Sequence, residues 1–323
     1  MKAYVLNNGL GDNTVSVIDT LSDQIIKTIQ VGSRPTHMAL AGSKAYVINA
    51  LSNDLSIVDT ETDSVLADKT IALGGSPKRI KIFESKAYIT TSNPGRVCII
   101  DLNTNLLDKR IFTGEMPRHL GIFGSKMYIT DFSSGYVSVL DISNGKIIKT
   151  ISVGKNPLGI IVLFNKIYIA NFSNKTISVI DPSYDRVIYT LSVRDNPYYM
   201  TPNGEQIYVV NQNEHGSISV IDSLSMKVLK HISVGQFPCH IAFWKTNAYV
   251  INGLEQTISV IDLTTNALAK TIFLEYSPKF IVFLGFKGYV ATSSNILVLD
   301  SRKNVITQRI PIRAFPTYIE LIP

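Results

Sequence analysis

Three anchors recur eight times along the chain in a fixed order, and no other feature restricts the possible folds as strongly. The first is a tyrosine followed by a β-branched residue: Tyr4, Tyr46, Tyr88, Tyr128, Tyr168, Tyr208, Tyr249 and Tyr289. The second is an aspartate that closes an apolar run: Asp19, Asp59, Asp101, Asp141, Asp181, Asp222, Asp262 and Asp300. The third is a proline: Pro35, Pro77, Pro117, Pro157, Pro197, Pro238, Pro278 and Pro316. Equivalent anchors lie 38 to 42 residues apart, the period of a four-stranded propeller blade, and eight copies without a remainder predict eight blades rather than seven.

Each copy divides into four short apolar segments separated by Gly, Asn, Ser or Asp. In one copy these are Gly159 to Phe164, Ile167 to Ala170, Thr176 to Ile180 and Val187 to Val193. They are rich in Ile, Val and Tyr and show no sustained helical period, so an all-β fold is expected. Runs such as TISVID lack strict alternation because stacked blades bury both faces of a sheet. The chain starts in a second-position strand, Ala3 to Asn7, and ends in a first-position strand, Thr317 to Ile322. Pairing those two segments would complete one blade, close the ring and remove two open edges. A single propeller domain over residues 1–323 is the reading that follows.

At 45% hydrophobic and 17% charged residues the chain is not disordered. No run reaches the roughly 18 apolar residues of a membrane helix, and membrane insertion is not expected. The sequence MKAYVLNN enters a strand pattern at once, without a signal peptide, so a cytoplasmic location is expected; a secreted or cell-surface location is the alternative if a targeting segment was removed. Cys98 and Cys239 have no paired spacing and read as free thiols.

The repeated aspartates are turn residues in this reading. An Asp, Asn or Gly follows four residues later in seven of the copies, a spacing that suits a hairpin loop with a left-handed position. Lys27, Lys69, Lys109, Lys149, Lys230 and Lys270 recur in the fourth strand, where charge protects a free edge from pairing with another molecule.

The tetrapeptides YVLN (4–7), YVIN (46–49), YITT (88–91), YITD (128–131), YIAN (168–171), YVVN (208–211), YVIN (249–252) and YVAT (289–292) resemble those of the YVTN-repeat β-propellers, which include surface-layer-like proteins and virginiamycin B lyase-like enzymes. ISVID (177–181) and TISVGKNP (150–157) match the accompanying elements. The resemblance covers the whole chain and implies the fold, while its members differ in function. Eight copies exceed the seven common among them.

Function has to be sought where the copies differ. The interval from proline to the next tyrosine is always eleven, whereas the interval from tyrosine to aspartate ranges from 11 to 15. The length changes fall in the loops joining second and third strands, such as 7–13 and 211–216, which share a face with the connections between blades; variation on one face marks a binding face. One two-residue insertion, between Asp59 and Pro77, falls elsewhere.

The connections also carry the charge. Arg34, Lys78, Arg79, Arg118, Lys155, Arg194, Lys279 and Arg313 face only three acids, Glu115, Asp195 and Glu275, in a chain whose formal net charge is +6. The second residue after each proline is expected to point toward the channel mouth: His37, Arg79, His119, Gly159, Tyr199, His240, Phe280 and Tyr318. A basic arc facing an aromatic arc would hold an anionic ligand with a flat or apolar part.

The candidate ligand-binding residues are therefore Arg34, His37, Lys78, Arg79, Arg118, His119, Tyr199, His240, Phe280 and Tyr318. The expected function is a non-enzymatic, monomeric scaffold for a protein or anionic ligand. The alternative is a lyase or hydrolase using His37, His119 or His240 as general base. Nucleic acid is a weaker third reading, since the net charge is small for it. The three histidines lie too far apart around an eight-bladed ring to share a metal, and no CxxCH or other cofactor motif is present, so neither metal nor cofactor is expected.

Overall fold

The computed structural model of the chain describes every residue except 10, 67–69 and 313–314. Lys69, Arg313 and part of the 7–13 loop thus lie outside the described residues. Eight antiparallel sheets follow one another as the blades of an eight-bladed β-propeller, in a ring. Six of them have four strands in sequence order; one blade, for example, consists of Pro157–Leu163, Lys166–Asn171, Thr176–Asp181 and Arg186–Ser192. The one described helical element is a three-residue 3-10 turn, Phe172–Asn174.

Burial explains the sequence pattern. Second and third strands are buried along nearly their whole length, so both faces read as apolar. Fourth strands bury only an alternate residue or two and leave the rest to solvent. The eight anchor tyrosines are among the largest side chains with essentially no exposure. First strands begin at the proline itself, two residues earlier than the apolar pattern suggests; proline suits a first strand position because it has no N–H to give the ladder.

The chain is divided into two compact units. Unit 1 comprises residues 1–91, 98–110 and 274–323; unit 2 comprises residues 92–97 and 111–273. In unit 1 the terminal strand Pro316–Ile322 pairs antiparallel with Lys2–Asn7 and completes the blade formed by Thr14–Asp19 and Gln24–Gln30, as expected. In the blade that carries the two-residue insertion, Ser64–Val65 and Ile71–Ala72 both pair with Asp54–Asp59.

The aspartates cap their hairpins. Asp19 accepts hydrogen bonds from Leu21 N, Ser22 N and Ser22 Oγ, which hold its carboxyl below the usual range. The residue four positions later is left-handed in all eight copies, with φ between 49° and 70°. That residue has a second task which the repeat pattern alone does not show. In unit 1, Tyr4 Oη donates to Asp63 Oδ1 at 2.5 Å and Lys2 Nζ to Asp63 Oδ2 at 2.6 Å. Tyr289 and Lys287 grip Asp23 in the same way, at 2.5 and 2.7 Å. In unit 2, Tyr128 and Lys126 grip Asp185. Asparagine substitutes in two further copies, Asn105 receiving Tyr46 and Asn266 receiving Tyr208, both at 2.7 Å. Each clasp joins one blade to the next and gives a buried hydroxyl its partner.

The fourth-strand lysines likewise do more than charge an edge. Lys27, Lys149 and Lys230 each donate to a carbonyl of the following blade's hairpin, Thr62, Tyr184 and Thr265, at 2.9 to 3.0 Å.

Candidate functional site

The candidate residues share a local backbone feature. In the described pairings of first with second strands, register shifts immediately after the proline: Pro35 pairs with Asn49, then His37 with Ile48, and Pro238 with Asn252, then His240 with Ile251. A bulge of this kind turns side chains away from the regular pleat. The second residue after the proline therefore leaves the blade core, and at every candidate position it is half-buried rather than enclosed.

In unit 1 the first strands Pro278–Leu284, Pro316–Ile322, Pro35–Ala41 and Ser76–Phe83 lie side by side. Three of their residues form a continuous stack. The Phe280 and Tyr318 rings are 4.7 Å apart at an interplanar angle of 43°, and Tyr318 and His37 are 4.7 Å apart at 46°. Tilted contacts of this type contribute about 0.5–1.5 kcal/mol each beyond area burial. Burial, with the charge of Arg79 adding to it, holds the His37 imidazole well below its ordinary pKa, so the ring is neutral. Its Nδ1 is enclosed and has no hydrogen-bond partner. The Arg79 guanidinium donates to the Lys78 carbonyl at 3.1 Å, and its backbone N–H to Thr90 Oγ1 at 3.2 Å.

In unit 2 the ring contacts are longer. Tyr199 and His240 sit 5.2 Å apart at 37°. The Arg118 guanidinium lies 5.3 Å above the Phe132 ring, which is 6.5 Å from Phe172. His119 is anchored through its backbone N–H to Thr130 Oγ1 at 3.0 Å. Phe132 and Phe172 belong to the second-to-third loops, so a variable loop and a first strand meet at Arg118.

Two predicted residues are not drawn into these clusters. Arg34 is exposed, with φ of 59°, and Lys78 Nζ donates to Ser76 Oγ at 2.7 Å. Two of the three acids among the connections are engaged elsewhere, Glu275 by Arg309 at 2.6 Å and Asp195 by Lys175 at 3.5 Å.

Sequence reasoning missed Lys81 and Glu320. Both lie four residues after a proline, on the same side of a strand as the candidate position, and that alternation is the signal that would have found them. Glu320 Oε2 accepts the Tyr318 hydroxyl at 2.7 Å, while burial raises its pKa. Burial also lowers the pKa of Lys81 although its side chain retains solvent contact. Among the described residues no group of three or more His, Cys, Asp or Glu side chains is placed to hold a metal ion, and no helix is long and apolar enough to cross a membrane.

Comparison with known proteins adds support for the architecture. Residues 56–199 match a family described as a domain of unknown function, DUF5074. No curated protein matches the sequence. Among solved structures, the dihydro-heme d1 dehydrogenase NirN in complex with DHE is similar at a TM-score of 0.85 and 15% identity, covering 99% of this chain and 74% of that one. AztD from Citrobacter koseri is similar at a TM-score of 0.76 and 12% identity, covering 98% and 96% of the two chains. Hydrazine synthase from Kuenenia stuttgartiensis is similar at a TM-score of 0.54 and 16% identity, covering 86% of each. At these identities the likeness extends to the fold, and what these chains have in common is the propeller.

Proposed function

We propose that the chain is a non-enzymatic binding scaffold of the YVTN-repeat type, which recognises an anionic ligand or the acidic surface of a partner protein at the bulged ends of its first strands. The observation that carries this reading is the half-buried stack Phe280–Tyr318–His37, with the Arg79 charge beside it. Aromatic faces and a guanidinium on neighbouring strands offer flat apolar area together with a forked donor for carboxylate or phosphate. That one structural neighbour is described in complex with a ligand, DHE, agrees with the use of a propeller as a receptor.

A histidine-dependent lyase or hydrolase is less well supported. His37 is held neutral, but its depressed pKa makes it a weak base, and Nδ1 has no carboxylate or carbonyl to fix the tautomer.

The test is retention from a cell extract on immobilised protein, comparing wild type with Arg79→Ala/Arg118→Ala and identifying bound proteins and small molecules by mass spectrometry. The double variant is expected to keep its melting temperature and lose the retained species. Equal retention by both proteins would remove the basis for a binding role at these arcs.

A further inference from the structure

The strand Ser76–Phe83 carries two cations at alternate positions. Ile80 lies in the core between blades and Ile82 packs against that core, so Arg79 and Lys81 emerge together on the opposite face of the strand. Among the described residues neither forms an ion pair, and the Lys81 ammonium makes no hydrogen bond. Five other cations of the unit are ion-paired: Lys2 with Asp63, Lys86 with Asp108, Lys287 with Asp23, Arg302 with Asp300 and Arg309 with Glu275. Arg79 is half-buried and Lys81 exposed, so both charges are open to an anion from outside the chain.

The nearest feature defines what else that anion carries. Arg79 and His37 occupy equivalent positions on neighbouring strands, and from His37 the ring contacts run without a break through Tyr318 to Phe280. Apolar ring surface therefore begins beside the unpaired cations. A neutral His37 presents a ring face without a competing positive charge.

We infer that Arg79 and Lys81 form the anion subsite for a planar aromatic carboxylate, phosphate or sulfonate, whose ring system lies along His37, Tyr318 and Phe280. This rests on the binding role proposed above and specifies the chemistry of its ligand. The guanidinium supplies paired donors to two oxygens of the anion, and the ammonium supplies a third donor and a second charge. Glu320 accepts the Tyr318 hydroxyl at 2.7 Å and so fixes the middle ring of the stack.

The experiment is isothermal titration of the full chain at pH 7 with 2-naphthoate, 2-naphthalenemethanol and acetate. Wild type is compared with Arg79→Gln and Lys81→Gln, and with Lys27→Gln on a fourth strand as control. Saturable binding of 2-naphthoate is expected, weakened roughly tenfold or more by loss of either cation and unchanged in Lys27→Gln. 2-Naphthalenemethanol should bind about tenfold more weakly, and acetate more weakly still. Absence of saturable 2-naphthoate binding, or wild-type affinity in both Arg79→Gln and Lys81→Gln, overturns the inference; acetate binding as tightly as 2-naphthoate overturns its aromatic part. If the inference fails while Arg79→Ala/Arg118→Ala still loses species from the extract, the scaffold reading survives and this ligand class does not.

Discussion

Lys2 and Lys287 approach the hairpins of neighbouring blades, and Arg79 and Lys81 project from a first strand; all four belong to unit 1. The first two meet carboxylates at 2.6 and 2.7 Å in clasps that also satisfy a buried tyrosine hydroxyl. The other two meet no carboxylate among the described residues. Both pairs are basic, but one is consumed by the scaffold and the other is left over. A cation with its partner inside the fold explains stability, whereas a cation without one, beside a stack of rings, is open to a ligand.

The comparison can be broken most forcefully at the scaffold. Removing residues 316–323 deletes the strand that completes the terminal blade, and with it the buried Ile319 and Ile322, which uncovers the apolar neighbours they pack against. A loss above about 5 kcal/mol is expected from cavity formation and lost pairing, visible as a collapse of the melting temperature. A truncated chain that melts with the full-length protein would show that closure is not needed.

A single clasp comes next. Asp63→Ala strands Tyr4 and Lys2 together and should cost about 2–4 kcal/mol in denaturant titration, whereas Tyr4→Phe removes one hydroxyl and should cost about 1–2 kcal/mol. Equal and negligible losses would mean that the clasp is ornamental to the fold.

His37 gives a smaller, pH-dependent effect. Its folded pKa is depressed, so the unfolded chain binds the proton first as pH falls below about 6.5. The stability that His37 contributes is thus present near pH 7 and lost on acidification toward its folded pKa. The stability difference between wild type and His37→Gln should shrink from pH 7 to pH 5; a difference constant over that range would mean that the imidazole titrates normally.

Much of this was legible in the sequence. The eight tyrosines, aspartates and prolines gave the blades, the hairpin turns and the pairing of the termini, because local turn chemistry and burial recur with the repeat. The clasps were legible only in part: each hairpin Asp, at 23, 63 and 185, is received by a Lys-x-Tyr of the preceding copy, but Lys44-x-Tyr46 meets Asn105. That correlation runs between neighbouring copies and is invisible when copies are aligned only on their anchors. The ten candidate residues were located by position, but their grouping was not. Sequence sets His37 among the basic residues, whereas contact sets it among the rings with Tyr318 and Phe280. Lys81 and Glu320 were overlooked because only one position per strand was considered, although strand alternation brings the next one but one to the same side.

The smallest stability effect is the most informative. If Arg79 and Lys81 serve a ligand and not the fold, denaturant titration of Lys81→Gln without ligand should give a midpoint equal to that of wild type. Lys81 is exposed and unpaired, so its removal should leave stability within about 0.5 kcal/mol of wild type. A loss above about 1 kcal/mol would show that Lys81 has a partner in the folded chain, and would contradict the assignment of this strand to ligand binding.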